Sequence, residues 1–208
     1  MQIIVLIVII LCSMVLHELA HGVVAYWLGD TTAKEEGRLT LNPLAHIEPI
    51  TSVILPLMLY LMGAPIIGGA KPVPINTRNL KGGAWGMALV GVAGPLTNMI
   101  IALVVFLIGH FTGLLYGSGM GYFIVAQTVL TNLGFAVFNM LPIPPLDGSR
   151  VLYAIAPDGV RNVMDRLEQG AGVFLVFGLV MLFGAGLSQF TGAVINQILQ
   201  FFYFLVGN

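Results

Sequence analysis

Residues 17–21 read His17-Glu18-Leu19-Ala20-His21, inside an unbroken apolar run that starts at the N-terminus. Helical geometry turns four residues through one full circle and about 40° more, so both imidazoles lie on one face, one turn apart. Two nitrogens so placed can grip one zinc ion. Glu18 beside them can take a proton from a water that the ion activates. A motif of this kind normally belongs to a soluble metalloprotease. Here the flanking residues are Ile, Val, Leu and Met, so the sequence points to hydrolysis within a membrane.

The rest of the chain agrees with that setting. It has 208 residues, 58% hydrophobic and 8% charged, with mean hydropathy +0.97. A soluble domain carries about 25% charged residues. Several apolar stretches approach the roughly 20 residues that cross a bilayer. A formal net charge of -1 leaves no basic footprint, so nucleic acid is not an expected partner. Cys12 is the single cysteine, which excludes a disulfide framework and restricts zinc ligands to His, Asp or Glu. It reads as a small core hydrophobe. No cleavable signal peptide is expected, because the N-terminus lacks a positive region and the apolar run continues into the metal motif.

Along the chain, a first helix is expected from Gln2 to Leu28. A polar loop follows, with a short strand around Arg38–Leu41. Ile50 to Ile67 is apolar but holds Pro56, Gly63 and Pro65, which suits a re-entrant segment as well as a full span. Gly68 to Pro74 cannot be helical and reads as extended. Helices are then expected over Trp85–Phe111 and Tyr122–Met140. Arg150–Gln169 looks interfacial, and Ala171–Leu187 and Phe190–Val206 look like two further helices. The fold expected is an all-α polytopic membrane protein. It would have about five to six transmembrane helices, a re-entrant segment and a short β-structure near the active site. Residues 1–150 would form the catalytic core, and 151–208 an interfacial segment with two C-terminal helices.

A catalytic zinc site takes three protein ligands and a water. Asp147 is the candidate third ligand. It follows a transmembrane helix in a Pro-rich, otherwise apolar segment, where a carboxylate is costly unless paired or metal-bound. The alternative is that Asp147 caps the helix that follows. Asn98 and Asn139 could simply bridge helices by hydrogen bonds. Packing is the favoured role for Asn98, beside Gly94-Pro95. His46 reads as an interfacial residue.

Three motifs carry a family resemblance: His-Glu-Leu-Ala-His on the first helix, Ala-Gly-Pro-Leu-Thr-Asn at 93–98, and Asn-Met-Leu-Pro-Ile-Pro-Pro-Leu-Asp-Gly at 139–148. Together they resemble the site-2 proteases, membrane-embedded zinc metalloproteases that cut transmembrane segments of other proteins. The resemblance spans roughly residues 10 to 150. It implies that His17, His21 and Asp147 bind zinc, one ion per chain, and that Glu18 is the catalytic base. It implies that Asn139 holds substrate main chain. It also implies that the segment containing Gly69, Ala70, Lys71 and Val73 offers an edge to an extended substrate. No PDZ or CBS domain of the kind larger members carry is expected.

Topology gives an independent expectation. His21 lies near the exit of the first helix and Asp147 just past the exit of the third, so an even number of crossings must separate them. A re-entrant Ile50–Ile67 meets that condition. It also puts all eight Lys and Arg residues on one side, as the positive-inside rule prefers, with the zinc toward the cytoplasmic half. The function expected is intramembrane zinc proteolysis of transmembrane protein substrates, by a multi-pass protein of the cell membrane. A membrane metal transporter would repeat ligand pairs along several helices, and one compact constellation is present instead. A catalytically silent scaffold of the same fold would have lost a ligand or Glu18, and none is missing.

Overall fold

The computed structural model describes residues 1–48, 54, 58, 70–170 and 172–207. Helix α1 spans Gln2–Trp27 and is followed by a short helix α2, Thr32–Glu35, and a 3-10 turn at Pro43–His46. After Ala70–Pro74, which forms no regular secondary structure, come α3 (Gly83–Phe111) and α4 (Gly119–Asn139). Two helices at the polar segment, α5 (Gly148–Ile155) and α6 (Asp158–Gly170), precede α7 (Gly172–Leu205). Three of these, α1, α3 and α4, are long and apolar enough to cross a membrane.

Their sequences explain how they pack. On α3 the buried positions Gly91, Gly94, Pro95, Asn98, Ala102, Phe106 and Gly109 recur at helical spacing. The opposite positions Leu89, Leu96, Ile100, Val104 and Ile108 stay about half exposed, as a lipid-facing stripe would. The buried face is built of small residues near its start and carries Phe106 toward its end. The small half admits α1, and the bulky half joins Val129 and Leu133 of α4 and Phe202 of α7 in one apolar cluster. Small residues let backbones approach where lipid offers no hydrophobic drive. A second cluster of Ala25, Leu80 and Val90 closes the other end. The polar groups of α1 lie between the two.

Several expectations are corrected. The C-terminal region is one continuous helix, not two. Nothing at Ser188-Gln189 breaks it, since neither residue is Pro or Gly. Thr191 Oγ1 donates back to the Leu187 carbonyl at 2.8 Å, so a polar side chain is satisfied inside the helix. Arg38–Leu41 is not a strand, and among the described residues there is none. Arg38 is buried instead and donates from Nη2 to the carbonyls of Lys71 and Pro72, at 2.9 and 3.3 Å. A side chain thereby takes the place of a ladder partner. His46 is buried too, donating from Nε2 to the Thr40 carbonyl at 2.9 Å. Cys12 faces outward. Most of Ile50–Ile67, and Gly69, lie outside the described residues.

Candidate metal centre

The site is assembled where α1, α3 and the loop between α4 and α5 meet. His17 and His21 are one turn apart on α1 and both buried. Their Nε2 atoms are 3.0 Å apart. Asp147 Oδ2 lies 3.0 Å from His17 Nε2 and 3.4 Å from His21 Nε2. Asp147 sits at the N-cap of α5, yet its side chain makes no capping hydrogen bond. The capping alternative therefore fails, and the carboxylate turns to the histidines.

Each imidazole is held through its other nitrogen. His21 Nδ1 donates to the Val90 carbonyl at 2.7 Å. A carbonyl oxygen only accepts, so Nδ1 carries a proton, and in the neutral ring Nε2 keeps the lone pair. His17 Nδ1 donates to Asn98 Oδ1 at 2.5 Å. Three electron-rich atoms thus converge. Uncompensated, that arrangement is repulsive, and a cation between them removes the repulsion. Tetrahedral ligands about 2.0–2.1 Å from zinc stand about 3.3–3.4 Å from one another. The observed separations are close to that spacing, and the three residues form a group able to hold a metal ion.

Two glycines of α3 make this approach possible. A Cβ on Gly94 would stand 2.5 Å from His21 Nε2 and 2.6 Å from His17 Nε2. A Cβ on Gly91 would stand 2.9 Å from the Asp147 carbonyl and from Arg150 Cβ. The first glycine admits the imidazoles, and the second admits the main chain that carries Asp147.

Glu18 lines the same cavity, of about 270 Å³, with His21, Pro72, Val73, Asp147 and Arg150. Its Oε2 accepts the Val73 main-chain N–H at 3.0 Å. Val73 is buried, Ala70 half-buried and Lys71 exposed. The Lys71 N–H donates to the His46 carbonyl at 2.8 Å. Asn139 is half-buried at the end of α4, where its Nδ2 donates to the Phe135 carbonyl at 3.1 Å; it is not among the residues lining the cavity. Arg150 forms a two-pronged ion pair with Glu168, which ties α5 to α6 beside the opening. Sequence reasoning missed the part played by Asn98 and by Asn132, which is fully buried beside it. A signal existed: two intramembrane asparagines, each costly unless fully hydrogen-bonded.

No family model matches the chain, and no solved structure matches it. Among curated relatives, it is 36% identical over 205 residues to "Putative zinc metalloprotease YwhC" of Bacillus subtilis, covering 95% of this chain and 90% of that one. It is 34% identical over 148 residues to Rip2 of Mycolicibacterium smegmatis, given the same zinc metalloprotease description, covering 66% of this chain and 52% of that one. Against Rip2 of Mycobacterium tuberculosis (strain H37Rv) the identity is 32% over 180 residues, covering 83% and 64%. The chain therefore spans only part of Rip2 but nearly all of YwhC. With that likeness along almost its whole length, and with His17, His21 and Asp147 drawn together from distant parts of the sequence, the chain belongs to the site-2 protease family of zinc metalloproteases.

Proposed function

We propose that this chain is an intramembrane zinc endopeptidase of the cell membrane, cutting peptide bonds in or near transmembrane segments of other proteins. His17, His21 and Asp147 hold one zinc ion per chain, and Glu18 is the general base. The observation that carries this reading is the convergence of two Nε2 atoms of a membrane-length helix with a carboxylate oxygen, beside a cavity lined by Glu18, His21 and Asp147. Zinc bound there supplies Lewis acidity, bringing the pKa of water toward about 7 and polarising the scissile carbonyl.

Glu18 removes a proton from the attacking water as its oxygen adds to the carbonyl carbon. It then delivers that proton to the amide nitrogen as the C–N bond breaks. Val73 holds Oε2, which leaves Oε1 to carry the proton. The substrate must be unwound first, because a helical peptide bond is shielded by its own hydrogen bonds. Main chain of the segment containing Gly69, Ala70, Lys71 and Val73 would hold the unwound substrate by strand addition, and Asn139 would contact its main chain. Residues 1–150 would carry the chemistry. Arg150 and the helices beyond it would frame the entry and complete a multi-pass membrane body.

The test is cleavage of single-span substrates by purified protein. Glu18→Gln is expected to retain about one zinc per chain and lose cleavage, since the base is removed and the ligands are not. Undiminished proteolysis in that variant overturns the assignment. Asn139→Ala is expected to lower turnover with zinc content near normal.

A further inference from the structure

Three polar residues outside the cavity form a closed chain of hydrogen bonds behind His17. Asn98 of α3, Asn132 of α4 and Ser13 of α1 are each buried, at 0%, 0% and 3% exposure. Asn132 Nδ2 donates to the Thr128 carbonyl at 2.8 Å and to Ser13 Oγ at 2.9 Å. Asn98 Nδ2 donates to Asn132 Oδ1 at 2.7 Å, with a longer contact of 3.5 Å to the Ser13 carbonyl. Asn98 Oδ1 then meets His17 Nδ1.

The order of donors in this chain is forced. The Thr128 carbonyl can only accept, so the end of the Asn132 amide facing it must be the NH2 group. Its oxygen therefore faces Asn98. Asn98 must answer with its own NH2, which turns its oxygen toward His17. His17 must then carry its proton on Nδ1, and Nε2 is left with a lone pair toward Asp147 and His21. We propose that Asn132, which touches neither the cavity nor the three converging ligand atoms, is a positioning residue. Through Asn98 it fixes the tautomer and ring orientation of His17 and so the affinity of the site for its metal. The proposal rests on the reading of His17 as a metal ligand. Groups that orient a ligand in this way are worth about 10–100-fold in metal affinity.

Cobalt(II) is the probe, titrated into metal-free protein in detergent, with its visible spectrum reporting ligand geometry. Alongside it, the 15N resonances of the His17 ring in metal-free protein report whether Nδ1 carries a proton. Asn132→Leu is expected to weaken cobalt binding about 10-fold and to reduce Nδ1 protonation, although it changes no ligand. Asn98→Leu is expected to weaken binding by about 10–100-fold. Ser13→Ala also removes a buried hydrogen bond but leaves Asn132 fixed by Thr128, so binding is expected to hold. It separates the relay from general damage to the buried cluster, and Asn132→Ala is read in place of Asn132→Leu if the Leu variant fails to fold. A Ser13→Ala loss as large as that of Asn132→Leu overturns the proposal. So does an Asn132→Leu protein with unchanged cobalt affinity and unchanged His17 Nδ1. If the unmodified protein binds no cobalt while Nδ1 responds to Asn132→Leu as expected, the relay stands and the metal reading fails.

Discussion

The main-chain N–H of Val73 donates to Glu18 Oε2 across 3.0 Å, joining two residues 55 positions apart. The carboxylate that the motif marks as the base is thereby held by the segment expected to receive the substrate. Neighbouring bonds hold that segment in turn: Arg38 Nη2 on the Lys71 and Pro72 carbonyls, and the Lys71 N–H on His46. Glu18 and the Lys71–Val73 main chain are thus one mechanical unit.

The Val73 bond can be removed without changing any acidic or basic group. Val73 lies between Pro72 and Pro74 outside any helix, so a further proline breaks no helical hydrogen bond. Val73→Pro deletes the N–H and frees the Glu18 carboxylate to rotate. Turnover is expected to fall about 10-fold, a fraction of what a general base contributes, with zinc content unchanged. Single-turnover cleavage beside metal analysis checks this. A rise in turnover would mean that the bond restrains Glu18 instead of aiming it.

Gly94 offers a sharper probe of the metal centre. A methyl group there would enter the space at which both Nε2 atoms point, 2.5–2.6 Å from them, and rotating either ring away breaks the bonds of its Nδ1. Gly94→Ala is expected to abolish zinc binding and activity together. Gly134 on α4 is the control, because a Cβ there meets nothing within 4 Å. Gly134→Ala should keep both properties. Full zinc occupancy in Gly94→Ala would place the metal elsewhere.

Past the end of α1, Asp30 is fully buried and gathers several donors. It accepts the Thr32 hydroxyl and N–H at 2.6 and 3.1 Å, and the Asn76 N–H at 2.6 Å. Burial pushes its carboxyl upward, but these bonds and Asn79 outweigh burial and hold it below the ordinary 3.8. A lowered folded value means the stabilisation is complete above about pH 4 and is lost as pH falls through the folded value. Asp30→Ala is expected to cost about 2–4 kcal/mol at pH 7, by stranding buried donors. It should also flatten the acid limb of the melting-temperature profile in detergent. An acid limb identical to that of the unmodified protein would remove Asp30 from this role.

The readability of the sequence followed the range of each interaction. His17, Glu18 and His21 were legible because four residues on a helix is a local rule. Asp147 was legible because a lone carboxylate in apolar surroundings needs a partner. Asn98 was read as packing, since its neighbours Gly94 and Pro95 say only that helices come close. Its partners, Asn132, His17 and Ser13, are 34, 81 and 85 residues away. His46 is buried and Cys12 exposed, against expectation, because burial is decided by the elements packed around a residue. The single long α7 was read as two helices, since Ser188-Gln189 interrupts the apolar pattern without interrupting the backbone hydrogen bonds.

Membrane topology is the last point at which sequence and structure meet. The charge pattern placed Lys34 and Arg78 on one side, which required Ile50–Ile67 to return without a net crossing. The ends of α1 and α3 argue the same way. The Lys81 N–H donates to the Leu28 carbonyl at 2.9 Å, and Asp30 accepts the Asn76 N–H, so α1 ends where α3 begins. If both ends lie on one side of a membrane, as we propose, the chain between them makes an even number of crossings. In a Cys12→Ser background, Lys34→Cys and Arg78→Cys are expected to react with an impermeant maleimide only after the cells are opened. Ser118→Cys, in the connection between α3 and α4, should react in intact cells. Labelling of Lys34→Cys and Arg78→Cys from opposite sides would make Ile50–Ile67 a full span. It would also part the exit of α1 from the entrance of α3, and with it the shared side on which His21 and Asp147 must meet.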